Sequence, residues 1–314
     1  MSENKMVFGD CPYCSTHYHM HPNLGGEVRE CRVCHGEFKI GEKYEIKAIG
    51  VHKLTYANFL PHLHGATFTD GGYTVKDGVI ISAENVGEEV KIPKGVIAIA
   101  SQAFKGNKRI KSVYISDGVL YIGQEAFAEC EGIRTLSLPD GLLAIANSAF
   151  MGCRRLTEVK IPESLKYGGY SLFHGCDNLT ELFFPMDMVT LGGSPCRFCK
   201  RLKRTNIPHC VINIGYWFSE TDMIEEVIIG GGVYETREIP TERLKQAVFT
   251  RTDGWYLRQG YTKKLADVPP QDLADPKKAA LLLYRAKKDK NQIVHTDSEN
   301  TELYYKDYQI LPLE

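Results

Sequence analysis

Residues 138–153 read LPDGLLAIANSAFMGC, and the features of this stretch return along the chain every 23 residues. The spacing is clearest at an aromatic position, which holds Phe104, Phe127, Phe150 and Phe173. A fixed period of this size is typical of a solenoid, in which each repeat buries its apolar face only by stacking on its neighbours. The sequence therefore predicts a stack of similar coils over residues 70–233.

Each coil is predicted to carry one β-strand, because the apolar pattern Leu-x-x-Val-x-Ile precedes the proline of the repeat. It occurs as Ile110–Val113–Ile115, Ile133–Leu136–Leu138, Leu156–Val159–Ile161 and Leu179–Leu182–Phe184. Its last two apolar positions alternate with a residue that must point to the other side. Stacked coils place equivalent positions about 4.8 Å apart. The phenylalanines should therefore form one buried column, and Cys130, Cys153, Cys176 and Cys199 a second. A hairpin around Asp77-Gly78 is predicted to lead into the first coil.

The Ile-Pro, Ala-Phe and Cys positions of this pattern resemble the 23-residue leucine-rich repeats of the BspA-like (Treponema-type) family. The resemblance implies a right-handed solenoid with a β-sheet on its concave side and short or irregular second strands opposite. Members of that family are mostly interaction proteins, and many are secreted or surface-exposed. The resemblance thus implies a binding surface.

The residue between the two inward positions of each strand should face outward on the concave sheet. Together with the flanking Arg134, these positions give a predicted partner-binding set of Tyr114, Arg134, Lys160, Phe183, Asn206 and Ile228. Large apolar side chains on a solvated sheet favour a binding face. The alternative interpretation is that single exposed apolar residues are ordinary, or that the end of the chain covers them.

A metal site is predicted near the amino terminus, within residues 1–40. Cys11, Cys14, Cys31 and Cys34 form two C-x-x-C pairs separated by sixteen residues. This pattern is typical of a tetrahedral Zn²⁺ site, and the stretch resembles the short zinc ribbon of many bacterial proteins. A closed four-cysteine site leaves no open coordination position, so the predicted zinc is structural.

Two other interpretations of this region remain open. Cys11-Pro12-Tyr13-Cys14 alone also fits a dithiol redox motif, although a second C-x-x-C follows where that motif requires a βαβ unit. His17, His19 and His21 alternate along a predicted strand and could bind a second metal, or form a solvated polar face.

The remaining segments give weaker patterns. Residues 41–69 form a linker or small subdomain, and residues 234–314 a separate small α+β segment. In the latter, a helix is predicted from Pro240-Thr241 through Val248. A second helix is predicted from Asp275-Pro276, with Asp275 as its N-cap and proline at its first position. The predicted fold is thus a β-rich leucine-rich-repeat solenoid between a zinc ribbon and this segment.

Composition excludes several function classes. The 314 residues carry a net charge of −1, so bulk charge does not indicate nucleic acid or an anionic membrane. No phosphate-binding glycine loop, Gly-x-Ser-x-Gly elbow or His-Glu-x-x-His helix occurs, although an active site without a motif could lie in residues 234–314. The ten cysteines, with no secretory signal at the start of the sequence, favour a reducing, cytoplasmic compartment.

The predicted function is a non-enzymatic protein–protein interaction scaffold of bacterial type, with a protein partner and no membrane association. The main alternative is a nucleic-acid-binding protein that uses the ribbon and the basic residues Lys200, Arg201, Lys203 and Arg204. That alternative requires binding that weakens steeply with salt. Cell-surface adhesion is a third hypothesis, which the missing export signal disfavours.

Overall fold

The computed structural model describes residues 7–10, 17–20, 28–30, 37–39, 68–70, 72–76, 78–211, 214–233, 235–259 and 263–295. The chain divides into two units, Met1–Leu63 and His64–Glu314. The described part of the first unit consists of two antiparallel hairpins. In one, β1 (Val7–Asp10) pairs with β2 (His17–Met20), and in the other, β3 (Val28–Glu30) pairs with β4 (Glu37–Lys39).

The second unit is a solenoid, as the 23-residue period predicts. One set of strands, one from each coil and two to four residues long, pairs in parallel. They are β8 (Glu89–Lys91), β10 (Ser112–Tyr114), β12 (Thr135–Ser137), β14 (Glu158–Val159), β16 (Glu181–Leu182), β18 (Arg204–Ile207), β19 (Glu226–Ile229) and β20 (Gln246–Phe249). These strands form two four-stranded sheets, the first from β8 to β14 and the second from β16 to β20. Partners such as Val113 and Leu136 stand one period apart. We call the side of these strands that points away from the core the long-strand face.

A second set of short strands lies on another side of each coil, as the family resemblance implies. They are β9 (Ala98–Ile99), β11 (Tyr121–Ile122), β13 (Ala144–Ile145), β15 (Tyr167–Gly168) and β17 (Thr190–Leu191). Three antiparallel strands extend this sheet at its start: β5 (Phe68–Asp70), β6 (Tyr73–Lys76) and β7 (Val79–Ala83). The predicted hairpin is confirmed by the antiparallel pairing of β6 with β7, although Asp77 itself lies outside the described residues. Because β7 pairs in parallel with β9, the hairpin leads directly into the first coil.

The core contains both predicted columns. The rings of Phe104, Phe127, Phe150 and Phe173 are stacked with successive centroid distances of 4.6, 5.5 and 5.4 Å. The four periodic cysteines are fully buried beside them. Thiols suit this slot because they are small and apolar and can still donate a weak hydrogen bond.

Charged side chains on the surface repeat with the same period. One column, which we call the charge column, alternates in sign through Lys108, Glu131, Arg154, Asp177 and Lys200. The side-chain nitrogen of Lys108 lies 3.6 Å from a carboxylate oxygen of Glu131. The carboxylate oxygens of Asp177 lie 3.7 Å from a guanidinium nitrogen of Arg154 and 3.8 Å from the side-chain nitrogen of Lys200. Neighbouring coils therefore present opposite charges to each other at this position.

The parallel stack continues beyond residue 233, where the predicted solenoid ends. Strand β20 pairs with β19 in register from Glu226–Gln246 to Ile229–Phe249. The helix predicted from Pro240 through Val248 is therefore wrong, because Gln246–Phe249 is a strand. Its buried residues Ala247 and Phe249 alternate with the exposed Val248.

The remaining elements pack against this last coil. Strand β21 (Trp255–Gln259) lies between β22 (Lys263–Asp267) and β23 (Asn291–His295) in an antiparallel sheet. Helices α1 (Pro270–Ala274) and α2 (Pro276–Lys288) precede β23. The predicted start of α2 is confirmed, since the Asp275 carboxylate accepts hydrogen bonds from the backbone N–H groups of Lys277 and Lys278. Ala279, Ala280 and Leu283 are its buried face.

Candidate protein-binding face

The long-strand face takes its side chains from alternate positions of the parallel strands. In β10, Val113 is fully buried in the core, whereas the neighbouring Tyr114 is 43% exposed. Strand β12 repeats the arrangement with buried Leu136 and exposed Ser137. Parallel pairing aligns Tyr114 with Lys91 on one side and with Ser137 on the other. Equivalent residues therefore form rows that run across the face from coil to coil.

Most of the predicted binding residues reach the surface. Tyr114, Arg134 and Lys160 are exposed, and Phe183 and Ile228 are half-buried. Within the part of the chain that the structure describes, neither Arg134 nor Lys160 forms an ion pair. The first half of the face thus presents an aromatic ring and two cations that no acidic side chain of these coils neutralises.

Asn206 differs from the other predicted residues, because only 3% of it is exposed. Its amide oxygen accepts a hydrogen bond from the Phe184 N–H (2.7 Å), and its amide nitrogen donates to the Phe184 carbonyl (2.6 Å). The neighbouring strand β16 ends at Leu182, so the Phe184 backbone lacks a strand partner there. The Asn206 side chain supplies that missing pairing, and surface exposure at this position is a prediction that the structure corrects.

Arg204 links three strands of the face. From β18, its Nη1 lies 3.0 Å from Glu181 on β16, and its Nε lies 2.8 Å from Glu226 on β19. Hydrogen bonds to these two carboxylates, Glu181 first, raise the pKa of Arg204. Its guanidinium carbon also lies 5.7 Å from the centroid of the Phe183 ring. Arg204 therefore holds the Phe183 ring against the sheet through a cation–π contact.

The four basic residues on which the nucleic-acid hypothesis rests form ion pairs or hydrogen bonds with side chains of neighbouring coils. Lys200 pairs with Asp177, Lys203 with Glu225, and Arg204 with two glutamates. Arg201 donates a hydrogen bond to Asn178. These four cations are neighbours in sequence, but each faces an acidic or amide group of the adjacent coil. Three of the four cations are thus paired with carboxylates, which reduces the net positive charge available to a phosphate backbone.

Sequence reasoning missed one residue of the face. Val248 on β20 is aligned with Ile228 on β19 and is 38% exposed, so it extends the outward row by one coil. The alternation of Ala247, Val248 and Phe249 is typical of a strand. However, these residues follow their partners in β19 by 20 positions and not by the 23 of the repeat. Because of this irregular spacing, the 23-residue period did not identify Val248.

The predicted zinc ligands Cys11, Cys14, Cys31 and Cys34 lie outside the described residues, as does His21. His17 and His19 lie in β2, opposite Asp10 and Phe8 of β1. Among the residues described, no three histidine, cysteine or acidic side chains lie together so that they could hold a metal ion. No described helix has the length and apolarity needed to cross a membrane.

The repeat region matches a known family model. Residues 84–193 and 121–239 match the BspA type leucine rich repeat region, in six copies. None of the curated proteins matches the chain.

Several solved structures are similar. A leucine-rich repeat protein of T. pallidum is 28% identical over 53% of this chain and 82% of that chain, with a TM-score of 0.46. A leucine rich cell surface protein of Faecalibacterium prausnitzii A2-165 is 21% identical over 63% of this chain and 59% of that chain, with a TM-score of 0.52. A leucine-rich repeat protein of Bacteroides ovatus is 22% identical over 54% of this chain and 52% of that chain, with a TM-score of 0.42. The F. prausnitzii likeness shows a shared fold.

Proposed function

Since residues 84–239 form a leucine-rich repeat region of the BspA type, we propose that this chain is a non-enzymatic scaffold that binds another protein through its long-strand face. One observation carries the proposal. Tyr114, Arg134 and Lys160 stand exposed on three neighbouring coils, which share one buried core that includes the stacked aromatic rings. An ordered sheet that presents an aromatic ring and cations without an acidic partner among the described residues is suited to protein contact.

The partner's contact surface would be centred on Tyr114 and Phe183. Tyrosine and arginine are enriched where protein interfaces concentrate their binding energy. Tyr114 contributes a large ring with a polar end, and the exposed Arg134 can form a bidentate pair with a carboxylate of the partner. The ring of Phe183 already contacts Arg204 and is half-buried, which reduces the conformational entropy that it loses when a partner covers it.

A co-purification experiment with variants tests this function. The tagged full-length chain would be isolated from its native host at low salt, with mass spectrometry and the 260/280 nm absorbance ratio of the eluate as readouts. We expect a stoichiometric protein partner that the double variant Tyr114→Glu, Phe183→Glu no longer retains. Tyr216→Glu is the matched control, because Tyr216 is 70% exposed and does not belong to the long-strand face.

Two outcomes would contradict the proposal. If the double variant, folded by circular dichroism, retains the partner as well as the native chain does, the long-strand face is not the binding site. If nucleic acid co-elutes and is lost at higher salt, the chain is a nucleic-acid-binding protein instead.

We also propose a structural Zn²⁺ bound by Cys11, Cys14, Cys31 and Cys34. Two described hairpins support it, because each C-x-x-C pair lies in the sequence between the two strands of one hairpin. Cys11 follows the end of β1 at Asp10, and Cys31 follows the end of β3 at Glu30. Two C-x-x-C pairs supply four thiolates, a number that fits the tetrahedral preference of zinc. The bound ion would stabilise a unit that is too small to rely on a hydrophobic core.

The proposal includes a cytoplasmic location. It is supported by the thiols of Cys130, Cys153, Cys176, Cys196 and Cys199, which lie free and fully buried in the core. A thiol-rich core and a thiolate metal site both suit a reducing compartment. Fractionation of the native host, followed by immunodetection of the chain, tests this; recovery in the extracellular or surface fraction would contradict it.

A further inference from the structure

The stacked coils change character at one position, between the coil that contains β14 and the coil that contains β16. On the long-strand side, the two four-stranded sheets are divided between these two strands. We call the coils of β8, β10, β12 and β14 the first half, and the coils of β16, β18, β19 and β20 the second half. On the short-strand side the sheet crosses this division, because β15 of the first half pairs in parallel with β17 of the second half.

On the long-strand side, the backbone hydrogen bond across the division is longer than its equivalents. The N–H of Thr180 donates to the carbonyl of Thr157 over 3.3 Å. At the same position of other coils, the N–H groups of Arg134 and Lys203 each donate to the preceding coil over 2.8 Å. The usual distance for such a bond is about 2.7–3.2 Å, so the bond of Thr180 is the weak one of the three.

The core also changes at the division. The rings of Phe150 and Phe173 are nearly parallel, with an interplanar angle of 7°. The next ring, Phe184 of the second half, is tilted by 51° against Phe173, with a centroid distance of 6.5 Å. The position one period after Phe173 holds Cys196. The stack of parallel rings therefore ends where the long-strand sheet is divided.

Side chains link strands within the second half but not across the division. Arg204 of β18 joins β16 to β19 through its two ion pairs. Within the described part of the chain, the side chains of Glu158 and Lys160 form no hydrogen bond or ion pair with the coil of β16. The inward Val159 of β14 is only half-buried. Its equivalents in neighbouring strands are buried, namely Val113, Leu136 and Leu182.

On the short-strand side, the two halves are joined firmly. The N–H of Val189 donates to the carbonyl of Lys166 over 2.9 Å, and the ammonium group of Lys166 lies 2.6 Å from a carboxylate oxygen of Asp187. The turn before β16 is joined as well, since the amide of Asn178 donates to the carbonyl of Arg154 (2.9 Å). The weak contact is therefore limited to strands β14 and β16.

We propose that this division is a hinge of the solenoid. The short-strand side is its axis, and β14 and β16 part and rejoin as the two halves rotate. A hinge needs two rigid bodies and a small region between them that takes up the rotation. Each half is such a body, because its long strands form one four-stranded sheet. Repeats in a solenoid contact only their neighbours, so one weak contact can open without disturbing the others.

The hinge has a consequence for binding, and this consequence rests on the proposed scaffold function. Tyr114, Arg134 and Lys160 lie on the first half of the long-strand face, and Phe183 and Ile228 lie on the second. The angle at the hinge therefore sets the distance between the two groups of binding residues, and a partner that contacts both groups would fix it. The hinge itself does not depend on that function.

Hydrogen exchange of the full chain without a partner tests the hinge, if it is resolved to single amides and corrected for intrinsic rates. The amide of Thr180 should exchange about tenfold or more faster than those of Arg134 and Lys203, because local opening exposes it. The amide of Val189 should exchange as slowly as that of Lys166, which donates an equivalent bond to Leu143 (3.0 Å). Equal protection of Thr180, Arg134 and Lys203 would overturn the proposal. Exchange of Val189 as fast as that of Thr180 would also overturn it, since the short-strand side would then not be an axis.

An engineered disulfide provides a second test. Lys160 and Phe183 stand one period apart, directly after β14 and β16, so the double variant Lys160→Cys, Phe183→Cys places two thiols on adjacent coils within reach of a disulfide. Oxidation with glutathione disulfide should slow the exchange of Thr180 about tenfold relative to the reduced variant. Tyr114→Cys with Ser137→Cys is the matched control, because these two residues are aligned within the first half. Its disulfide should leave Thr180 unchanged. Equal slowing by both disulfides, or no slowing by the first, would contradict the hinge.

Discussion

The thiol of Cys153 donates a hydrogen bond to the backbone carbonyl of Phe127, which lies one coil earlier and 26 residues away (3.4 Å). Cys130, Cys176 and Cys199 make the equivalent bond to the carbonyls of Phe104, Phe150 and Phe173, at distances of 3.0 to 3.4 Å. The two internal columns are therefore coupled, since each cysteine binds the backbone of a residue from the aromatic column. Alanine at these positions would fill part of the slot but could not make this bond.

These thiols should be chemically inert in the folded chain. Burial raises the pKa of the Cys130 thiol to about 12, and burial raises the pKa of Cys153 well above its usual range. The reactive thiolate is therefore scarce at neutral pH. After brief iodoacetamide treatment at pH 8, site-resolved mass spectrometry should find both cysteines unmodified in native chain and modified in chain unfolded by guanidinium. Equal labelling in the two states would contradict the buried placement.

Loss of one ring from the aromatic column should destabilise the solenoid strongly. Phe150 lies between Phe127 and Phe173 and is fully buried, so Phe150→Ala removes packing for both neighbouring coils. We expect the free energy of unfolding in urea to fall by about 3–5 kcal/mol. Tyr216→Ala, at a position that is 70% exposed, should change it by less than about 0.5 kcal/mol. Similar losses in the two variants would show that the column does not carry this stability.

The cap of α2 should make stability depend on pH in the acidic range. Hydrogen bonds from the backbone N–H of Lys278, and then of Lys277, lower the pKa of Asp275 below its usual 3.8. Because the pKa of Asp275 is lower in the folded chain than in the unfolded chain, the charged cap stabilises the fold above about pH 3.8. This stabilisation is lost as the pH falls through the pKa of the folded chain.

Asp275→Asn tests this, because asparagine still caps the helix but carries no charge. Its melting temperature should lie below that of the native chain at pH 7, and the gap should close as pH falls towards 3. Asp275→Ala, which cannot cap, should melt lower than Asp275→Asn at pH 7. A gap between native chain and Asp275→Asn that is the same at pH 7 and pH 3 would show that the charge does not contribute.

The amino-terminal cysteines should hold zinc. Chain purified without chelator should contain about one zinc ion per molecule by elemental mass spectrometry. Cys11→Ser with Cys14→Ser should abolish it, because two of the four thiolates are lost. Cys210→Ser, at a half-buried thiol of the solenoid, is the control and should retain the metal. Zinc-free native chain from zinc-supplemented cells would refute the site.

The repeating part of the fold was predictable because identical environments require similar residues. The spacing of Phe104, Phe127, Phe150 and Phe173 predicted the column that the ring stacking confirms. The last coil was not predictable in the same way. Glu242-Arg243-Leu244-Lys245-Gln246 is a good helix-forming sequence on local propensity. Pairing with the open edge of β19, together with burial of Ala247 and Phe249, overrides that preference.

The candidate sites were predictable only where they follow the period. The phase of the repeat identified Tyr114 as an outward residue, and it is exposed. The same phase gave a wrong prediction at Asn206. Its side-chain amide binds the backbone of Phe184, because the neighbouring strand β16 ends at Leu182. The repeat pattern does not predict the length of that strand.

The charge column limits how this array can change its length. Because Lys108, Glu131, Arg154, Asp177 and Lys200 alternate in sign, removing the coil of Glu131 would place Lys108 next to Arg154. Removing that coil together with the next would instead place Lys108 next to Asp177, and attraction would be restored. The column therefore favours duplication or deletion of its internal coils in even numbers, which preserves the alternation of charge, whereas an odd number creates a like-charge contact.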